Sequence, residues 1–131
     1  MAFVSLLQQA RIELLVDVRA YPASRRHPQF ALEALARSLA SANIAYDWQG
    51  AALGGMRPQG YLVHMQTLAF EQAARALIAT GSARRVCIMC AETDPADCHR
   101  SHISDWLVAH GERVVHVIAE NDTREHAARL F

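Results

Sequence analysis

Lysine is missing from this sequence, and its absence removes several kinds of chemistry. All 13 basic residues among the 131 are arginines. Schiff-base catalysis by a lysine and phosphate binding by the lysine of a Walker-type loop are therefore excluded. The glycines do not follow the Gly-x-Gly-x-x-Gly spacing, so the sequence carries no dinucleotide-binding fingerprint. The sequence identifies no cofactor.

Cysteines and long apolar runs are also scarce. The three cysteines are an odd number and too few for a disulfide scaffold, which favours a reducing compartment. Apolar runs such as Leu14–Val16 and Val86–Cys90 are far shorter than the stretch of about 20 residues that crosses a bilayer. The first residues lack the pattern of a secretory signal. We therefore expect a cytoplasmic protein that does not bind membranes.

Positive and negative charges are equal in number. The chain has 13 basic and 13 acidic residues, and its isoelectric point is about 7.1. This balance argues against binding of extended nucleic acid, although a local basic patch that holds a single phosphate remains compatible with it. The hydrophobic fraction of 52% is enough for a packed core. The length fits one domain, so residues 1–131 are predicted to fold as a single unit.

Two kinds of hydrophobic pattern alternate along the chain. Short apolar runs predict strands at Glu13–Val18, Ile44–Trp48, Arg85–Cys90 and Arg113–Ile118. Helical spacing of apolar residues predicts helices at Ala2–Ala10, Ala31–Ala42, Leu68–Ala79 and His99–His110, the last two ended by Gly81 and Gly111. This alternation is typical of an α/β fold. We predict a mostly parallel sheet of about four strands with helices on both faces.

Ligands in such folds gather where the carboxyl ends of the strands meet the following loops. Two loops qualify here, Arg19–Phe30 and Ala91–Arg100, and they carry most of the polar chemistry of the chain. Arginines that lie close together can form bidentate contacts with a phosphate or a carboxylate. The candidate anion-binding residues are Asp17, Arg19, Ser24, Arg25 and Arg100. We expect the partner to be a small anionic ligand.

A plainer interpretation of the first loop stays open. Arg25 and Arg26 can be solvated loop charges, and Asp17 can simply pair with Arg19 or Arg100.

The second loop has the features of a helix start. Asp94 followed by Pro95 is typical of a helix N-cap with proline at the first helical position. That start would bring Cys98 and His99 into the first helical turns, near the positive end of the helix dipole. A thiol in that position, beside Arg100, has a lowered pKa.

These positions suggest roles in covalent chemistry. Cys98 or Cys90 would be the nucleophile or redox thiol, His99 the acid or base, and Glu92 an orienting carboxylate. The alternative is that the cysteines are small buried hydrophobes, which is the interpretation we adopt for Cys87.

A metal site is a further alternative. Cys87-x-x-Cys90 resembles half of a zinc site, and Cys98 and His102 have the spacing that puts two ligands on one helix face. Cys90, Cys98 and either His99 or His102 would then be the ligands. Against this, Cys87 and Cys90 fall in a predicted strand, where their spacing turns them to opposite faces.

The segment between the two loops offers weaker signals. Gly54 and Gly55 form a flexible loop that permits either a close backbone approach to a ligand or a simple turn. We interpret His64 as a surface histidine rather than a base.

Four sequence motifs include most of the positions discussed above. They are D-V-R-A-Y-P-A-S-R (Asp17–Arg25), L-G-G (Leu53–Gly55), Y-L-V-H-M-Q-T (Tyr61–Thr67) and M-C-A-E-T-D-P-A-D-C-H-R (Met89–Arg100). On these motifs the chain resembles the domain-of-unknown-function 488 family, small bacterial and archaeal α/β proteins, from about Leu14 to Ile118. The resemblance implies a Rossmann-like parallel sheet but no established activity. The recurrent polar positions of the family map onto Asp17, Arg19, Ser24, Arg25, Cys90, Glu92, Cys98, His99 and Arg100.

The chain departs from that family at its start. Members usually begin with an additional strand that ends in a G-H-S-like motif, whereas this sequence begins with the helix-like M-A-F-V-S-L-L-Q-Q-A. We expect that strand to be missing, which would leave an open sheet edge. A second copy of the chain could cover such an edge and form a homodimer.

Taken together, these features favour a small enzyme-like domain with an arginine-lined anion pocket and a reactive cysteine. A non-catalytic module that recognises a nucleotide or a nucleic-acid end is the first alternative, and a Cys/His metal site is the second.

Overall fold

The computed structural model describes residues 2–20, 22, 28–55, 57–89, 100–119 and 122–125. Its helices are α1 (Ala2–Gln9), α2 (Leu32–Ser41), α3 (Gly50–Leu53), α4 (Tyr61–His64), α5 (Leu68–Ala83) and α6 (Arg100–Ala109), with a 3₁₀ turn at Pro28–Phe30. Its strands are β1 (Leu14–Asp17), β2 (Ala45–Trp48), β3 (Val86–Met89), β4 (Val115–Ala119) and β5 (Asp122–Glu125). None of the described helices combines the length and apolarity that crossing a bilayer requires.

Three of the strands form an open parallel sheet. Its order is β2-β1-β3, so β1 is the central strand. Asp17 at the end of β1 lies beside Trp48 on one side and Met89 on the other. Because all three strands run in the same direction, their carboxyl ends meet at one edge of the sheet. The mixed α/β fold with a parallel sheet is confirmed.

Both faces of this sheet are covered by helices, as predicted. Alternate residues of β1 face opposite sides. Val16 packs with α3, α5 and α6, whereas Leu15 packs with α1 and α2. Both residues are almost fully buried, which explains why β1 is an unbroken apolar run in the sequence.

The fourth predicted strand forms but has another partner. β4 pairs antiparallel with β5, with an irregularity between Val117 and Ala119. The parallel sheet of the described residues therefore has three strands. A Rossmann-like sheet of about four strands stays a prediction.

The structure tests the helix ends that the sequence predicts. Thr67 caps α5 by accepting a hydrogen bond from the backbone N–H of Phe70 at 3.2 Å. Gly111, with a φ of 89°, follows α6 as predicted. The prediction that Gly81 ends α5 is wrong, because the helix continues to Ala83. A glycine inside an exposed helical turn costs only about 1 kcal/mol, which the packing of the rest of α5 outweighs.

Candidate functional site

The carboxyl end of β1 carries a buried ion pair between Asp17 and Arg19. Nε of Arg19 donates to Oδ1 of Asp17 at 2.9 Å, and Nη2 donates to Oδ2 at 2.7 Å. Asp17 is 0% exposed and Arg19 is 6% exposed. Two parallel hydrogen bonds of this kind fix the plane of the guanidinium as well as its position. The pairing of Asp17 with Arg19, named above as the plainer interpretation, is present in the structure.

The carboxylate of Asp17 has partners beyond the guanidinium. Its Oδ1 accepts a hydrogen bond from the backbone N–H of Arg19 at 3.0 Å. Its Oδ2 accepts one from the hydroxyl of Tyr46, on β2, at 2.5 Å. A buried ion pair is tolerated when hydrogen bonds satisfy the remaining lone pairs, and these two contacts supply them. Asp17, Arg19 and Tyr46 therefore form one network, which we call the Asp17 network.

The surroundings fix the charge states of this network. Burial works against the charge of Arg19, but the hydrogen bonds and the negative charge of Asp17 outweigh it and raise the pKa of the guanidinium. Burial, followed by the hydrogen bond to Asp17 and its charge, raises the pKa of Tyr46. Arg19 is therefore a fixed cation and Tyr46 a neutral donor at physiological pH.

The guanidinium of Arg19 has donors to spare. A guanidinium has five N–H groups. The contacts with Asp17 use Nε–H and one hydrogen of Nη2, and Tyr46 also lies within hydrogen-bonding reach. No other described residue accepts a hydrogen bond from this side chain. Among the described residues, at least two N–H groups of Arg19 therefore have no acceptor.

The backbone of Arg19 is held as closely as its side chain. The indole N–H of Trp48 donates to the carbonyl of Arg19 at 2.8 Å. A Cβ added to Gly50 would lie 2.0 Å from that same carbonyl oxygen, and one added to Gly54 would lie 3.0 Å from Cα of Ala20. Only glycine lets α3 pack this closely against the end of β1. The close approach that Gly54 permits is thus between its own backbone and that of Ala20.

The C-terminal end of α3 is fixed by three side chains. The carbonyls of residues 51–54 would lack partners at a helix end. Each accepts a side-chain hydrogen bond of 2.5 to 3.0 Å, two from Arg57 and one each from Tyr61 and His64. The interpretation of His64 as a surface histidine is wrong, since it is only 9% exposed and holds α3 in place.

His102, one of the predicted metal ligands, contacts an aromatic ring in the structure. The ring of His102 on α6 stacks on Tyr61 with centroids 5.7 Å apart. In the described ranges no group of three or more His, Cys, Asp or Glu side chains is placed to hold a metal ion. Cys90, Cys98 and His99 lie outside those ranges, and the metal site stays a prediction from the sequence.

The second loop leaves the sheet beside the Asp17 network. The carbonyl of Met89 accepts a hydrogen bond from the backbone N–H of Val18 at 2.9 Å, and the described chain resumes at Arg100, the first residue of α6. Arg100 is described only by its backbone. The other predicted site residues of the two loops lie outside the described residues: Ser24, Arg25, Cys90, Glu92, Cys98 and His99.

Sequence reasoning did not find Tyr46, Trp48 or Gly50. A signal was present, because Tyr46 and Trp48 belong to the predicted strand Ile44–Trp48, which ends at the same sheet edge as Asp17. Aromatic side chains with a polar tip at such an edge can reach the neighbouring strand. Gly50 gave no local signal, since its role depends on contacts with Arg19 and Trp48.

Comparison with family models identifies the family. The model described as Domain of unknown function DUF488 matches residues 1–107. The chain belongs to this family. Comparison with curated proteins and with solved structures found no match.

The matched range contains both loops and all of the motifs on which the resemblance rests. In the structure of this DUF488 protein, the L-G-G and Y-L-V-H motifs have a common task. Gly54 allows α3 to approach Ala20, while Tyr61 and His64 hold the end of α3. Together they fix the helix that packs on the backbone of Arg19.

Proposed function

We propose that this DUF488 protein binds a small anion, a phosphate or a carboxylate, at the carboxyl end of its parallel sheet. The observation that carries the proposal is Arg19, a residue that is 6% exposed, whose guanidinium is held by Asp17 and has N–H groups that no described residue uses. A preorganised arginine loses little side-chain freedom when an anion arrives. The planar guanidinium also matches the spacing of two oxygens of a carboxylate or a phosphate.

Ser24, Arg25 and Arg100 would complete the anion site. Support comes from the sequence and from the topology, since both loops leave the sheet at the edge where α/β folds collect ligands. We also propose that the parallel sheet is Rossmann-like.

A covalent function would rest on the second loop. Cys98 or Cys90 would act as nucleophile or redox thiol, with His99 as acid or base and Glu92 as orienting carboxylate. Alkylation of each cysteine against pH, resolved by peptide mass spectrometry, tests this part by itself. A Cys98 that reacts well below the usual thiol pKa of about 8.5 supports it. Slow reaction of both cysteines with and without a chelator supports the non-catalytic binding module.

Calorimetric titration with inorganic phosphate tests the anion site. The variant Asp17→Asn/Arg19→Gln removes both charges of the buried pair, so it keeps the site neutral while the charged fork is lost. We expect its phosphate affinity to fall by about 10- to 100-fold, the effect of losing charge-assisted hydrogen bonds. Arg37→Gln, which removes an exposed arginine on α2, is the matched control and should bind as the wild type does. A folded double variant with unchanged affinity would contradict the proposal.

A further inference from the structure

A cleft lies at the opposite end of the sheet from the Asp17 network. Its volume is about 290 Å³, at the lower end of the range for small-molecule sites. Arg85 just before β3, Gly81 near the end of α5 and Glu112 just after α6 all contribute to its lining. The cleft therefore begins at the amino ends of the strands and follows β3 as far as Ile88, which pairs with Val16 of β1.

The apolar part of this cleft is aliphatic. It is lined by Leu77, Ile78, Val86, Ile88 and Leu107, and none of the described residues in the lining is aromatic. Branched aliphatic side chains suit an alkyl chain, and each buried methylene strengthens binding by about fourfold.

The polar part of the cleft is mostly cationic. Arg84, Arg85 and Arg113 line it, and Glu112 is the single acidic residue among the described residues of the lining. Arg85 is anchored, because its Nε donates to the carbonyl of Ala10 at 2.7 Å. Nε is one of five donors of a guanidinium, so this anchor positions the group without using its Nη hydrogens.

We propose that this cleft binds a carboxylate that carries an aliphatic chain. The alkyl chain packs on the aliphatic lining, and the arginines of the lining supply the positive charge that attracts the carboxylate. A second copy of the protein is the competing occupant, because β3 has a neighbour on only one side in the described sheet. A carboxylate supplies the charge opposite to that of the three arginines, whereas pairing of two β3 edges relies on main-chain hydrogen bonds and does not use that charge. The charge of the cleft therefore favours an anionic ligand.

Octanoate is the probe for this site. 1-Octanol, which lacks the carboxylate, and acetate, which lacks the alkyl chain, are the controls. Titrations followed by methyl NMR should give saturable shifts at Ile78, Ile88 and Leu107. We expect octanol to bind weaker by about tenfold or more, since it lacks the charge. Hexanoate, two methylenes shorter, should bind about 16-fold weaker than octanoate, and acetate should leave these methyl groups unchanged.

Arginine variants test the charged half of the cleft. The triple variant Arg84→Gln/Arg85→Gln/Arg113→Gln changes exposed residues and should fold. It should lose the preference for octanoate over octanol, whereas Arg37→Gln should keep it. Equal affinity of the wild type for octanoate and octanol would overturn the proposal. Shifts near Arg19 without shifts at the three methyl groups, or dimerisation that octanoate does not affect, would overturn it as well.

Discussion

The two ends of the parallel sheet use arginine in opposite ways. At the carboxyl end, Arg19 is buried and paired with a carboxylate that is itself fully buried. At the amino end, Arg84 and Arg85 are exposed and donate to the main-chain carbonyls of Glu13 and Ala10. A buried arginine needs a partner of opposite charge because desolvation is costly, whereas an exposed one keeps its hydration.

This contrast separates the ligand chemistry proposed for the two ends. The Asp17 network offers a rigid fork with few degrees of freedom, which suits a compact anion. The cleft offers aliphatic surface beside solvated arginines, which suits a longer carboxylate. The contrast also predicts different effects of mutation on stability. A substitution at the buried end disturbs a closed network and should destabilise the protein more than one at the exposed end.

Removal of the charge of Asp17 should have the largest effect. Asp17→Asn leaves the guanidinium of Arg19 buried without its counter-charge, so the free energy of unfolding should fall by about 3–5 kcal/mol. Urea denaturation measures this difference. Asp47→Asn is the matched control, because Asp47 is exposed on β2, and it should change stability by about 0.5 kcal/mol or less. Equal effects of the two substitutions would contradict a closed, buried network.

Loss of the Tyr46 hydroxyl should have the next largest effect. Tyr46→Phe removes the hydrogen bond to the charged Oδ2 of Asp17 and should lower the free energy of unfolding by about 1.5–3 kcal/mol. The same contact predicts a pH dependence. Since burial and Asp17 raise the pKa of Tyr46, the tyrosine ionises first in the unfolded state, and stability should be lost as the pH rises above about 10.

Stability curves of both proteins between neutral and alkaline pH test this coupling. Tyr61, whose pKa is also raised by burial, remains in the variant, so Tyr46→Phe should keep a smaller alkaline loss. An alkaline loss as large in the variant as in the wild type would show that Tyr46 is not coupled to folding in this way.

Two glycines provide the smallest and sharpest comparison. Gly50→Ala forces a Cβ to within 2.0 Å of the carbonyl oxygen of Arg19 and should cost about 1–3 kcal/mol. Gly81→Ala, on the exposed side of α5, meets no atom within 4 Å and should stabilise by about 0.5–1 kcal/mol. Thermal unfolding of both variants gives the sign directly. Changes of the same sign would mean that α3 does not pack on β1 as described.

Local patterns were enough to predict the central elements of the fold. The unbroken apolar run around Leu15 and the spacing of Leu35 and Leu39 predicted β1 and α2, because burial imposes a period on the sequence. The partner of β4 was not predictable in this way, since an apolar run does not specify which strand it pairs with.

The candidate site was predictable in its location but not in its construction. Parallel strands end at one edge, so Asp17 and Arg19 could be placed there from the sequence. The hydrogen bond from Tyr46 to Asp17 joins residues 29 positions apart, and the contact of Gly50 with Arg19 depends on how α3 packs. Such contacts follow from tertiary packing and leave no periodic signal.

The most direct test of the account is the Nε–H resonance of Arg19 in an arginine-edited NMR spectrum during titration with inorganic phosphate. Because Asp17 holds this group, we predict a sharp, slowly exchanging signal in the free protein that shifts saturably as phosphate binds. Arg37, exposed on α2, should shift little. A signal from Arg19 that exchanges as fast as that of Arg37, or that stays unchanged while phosphate binds, would contradict the claim that Arg19 is a preorganised anion-binding residue.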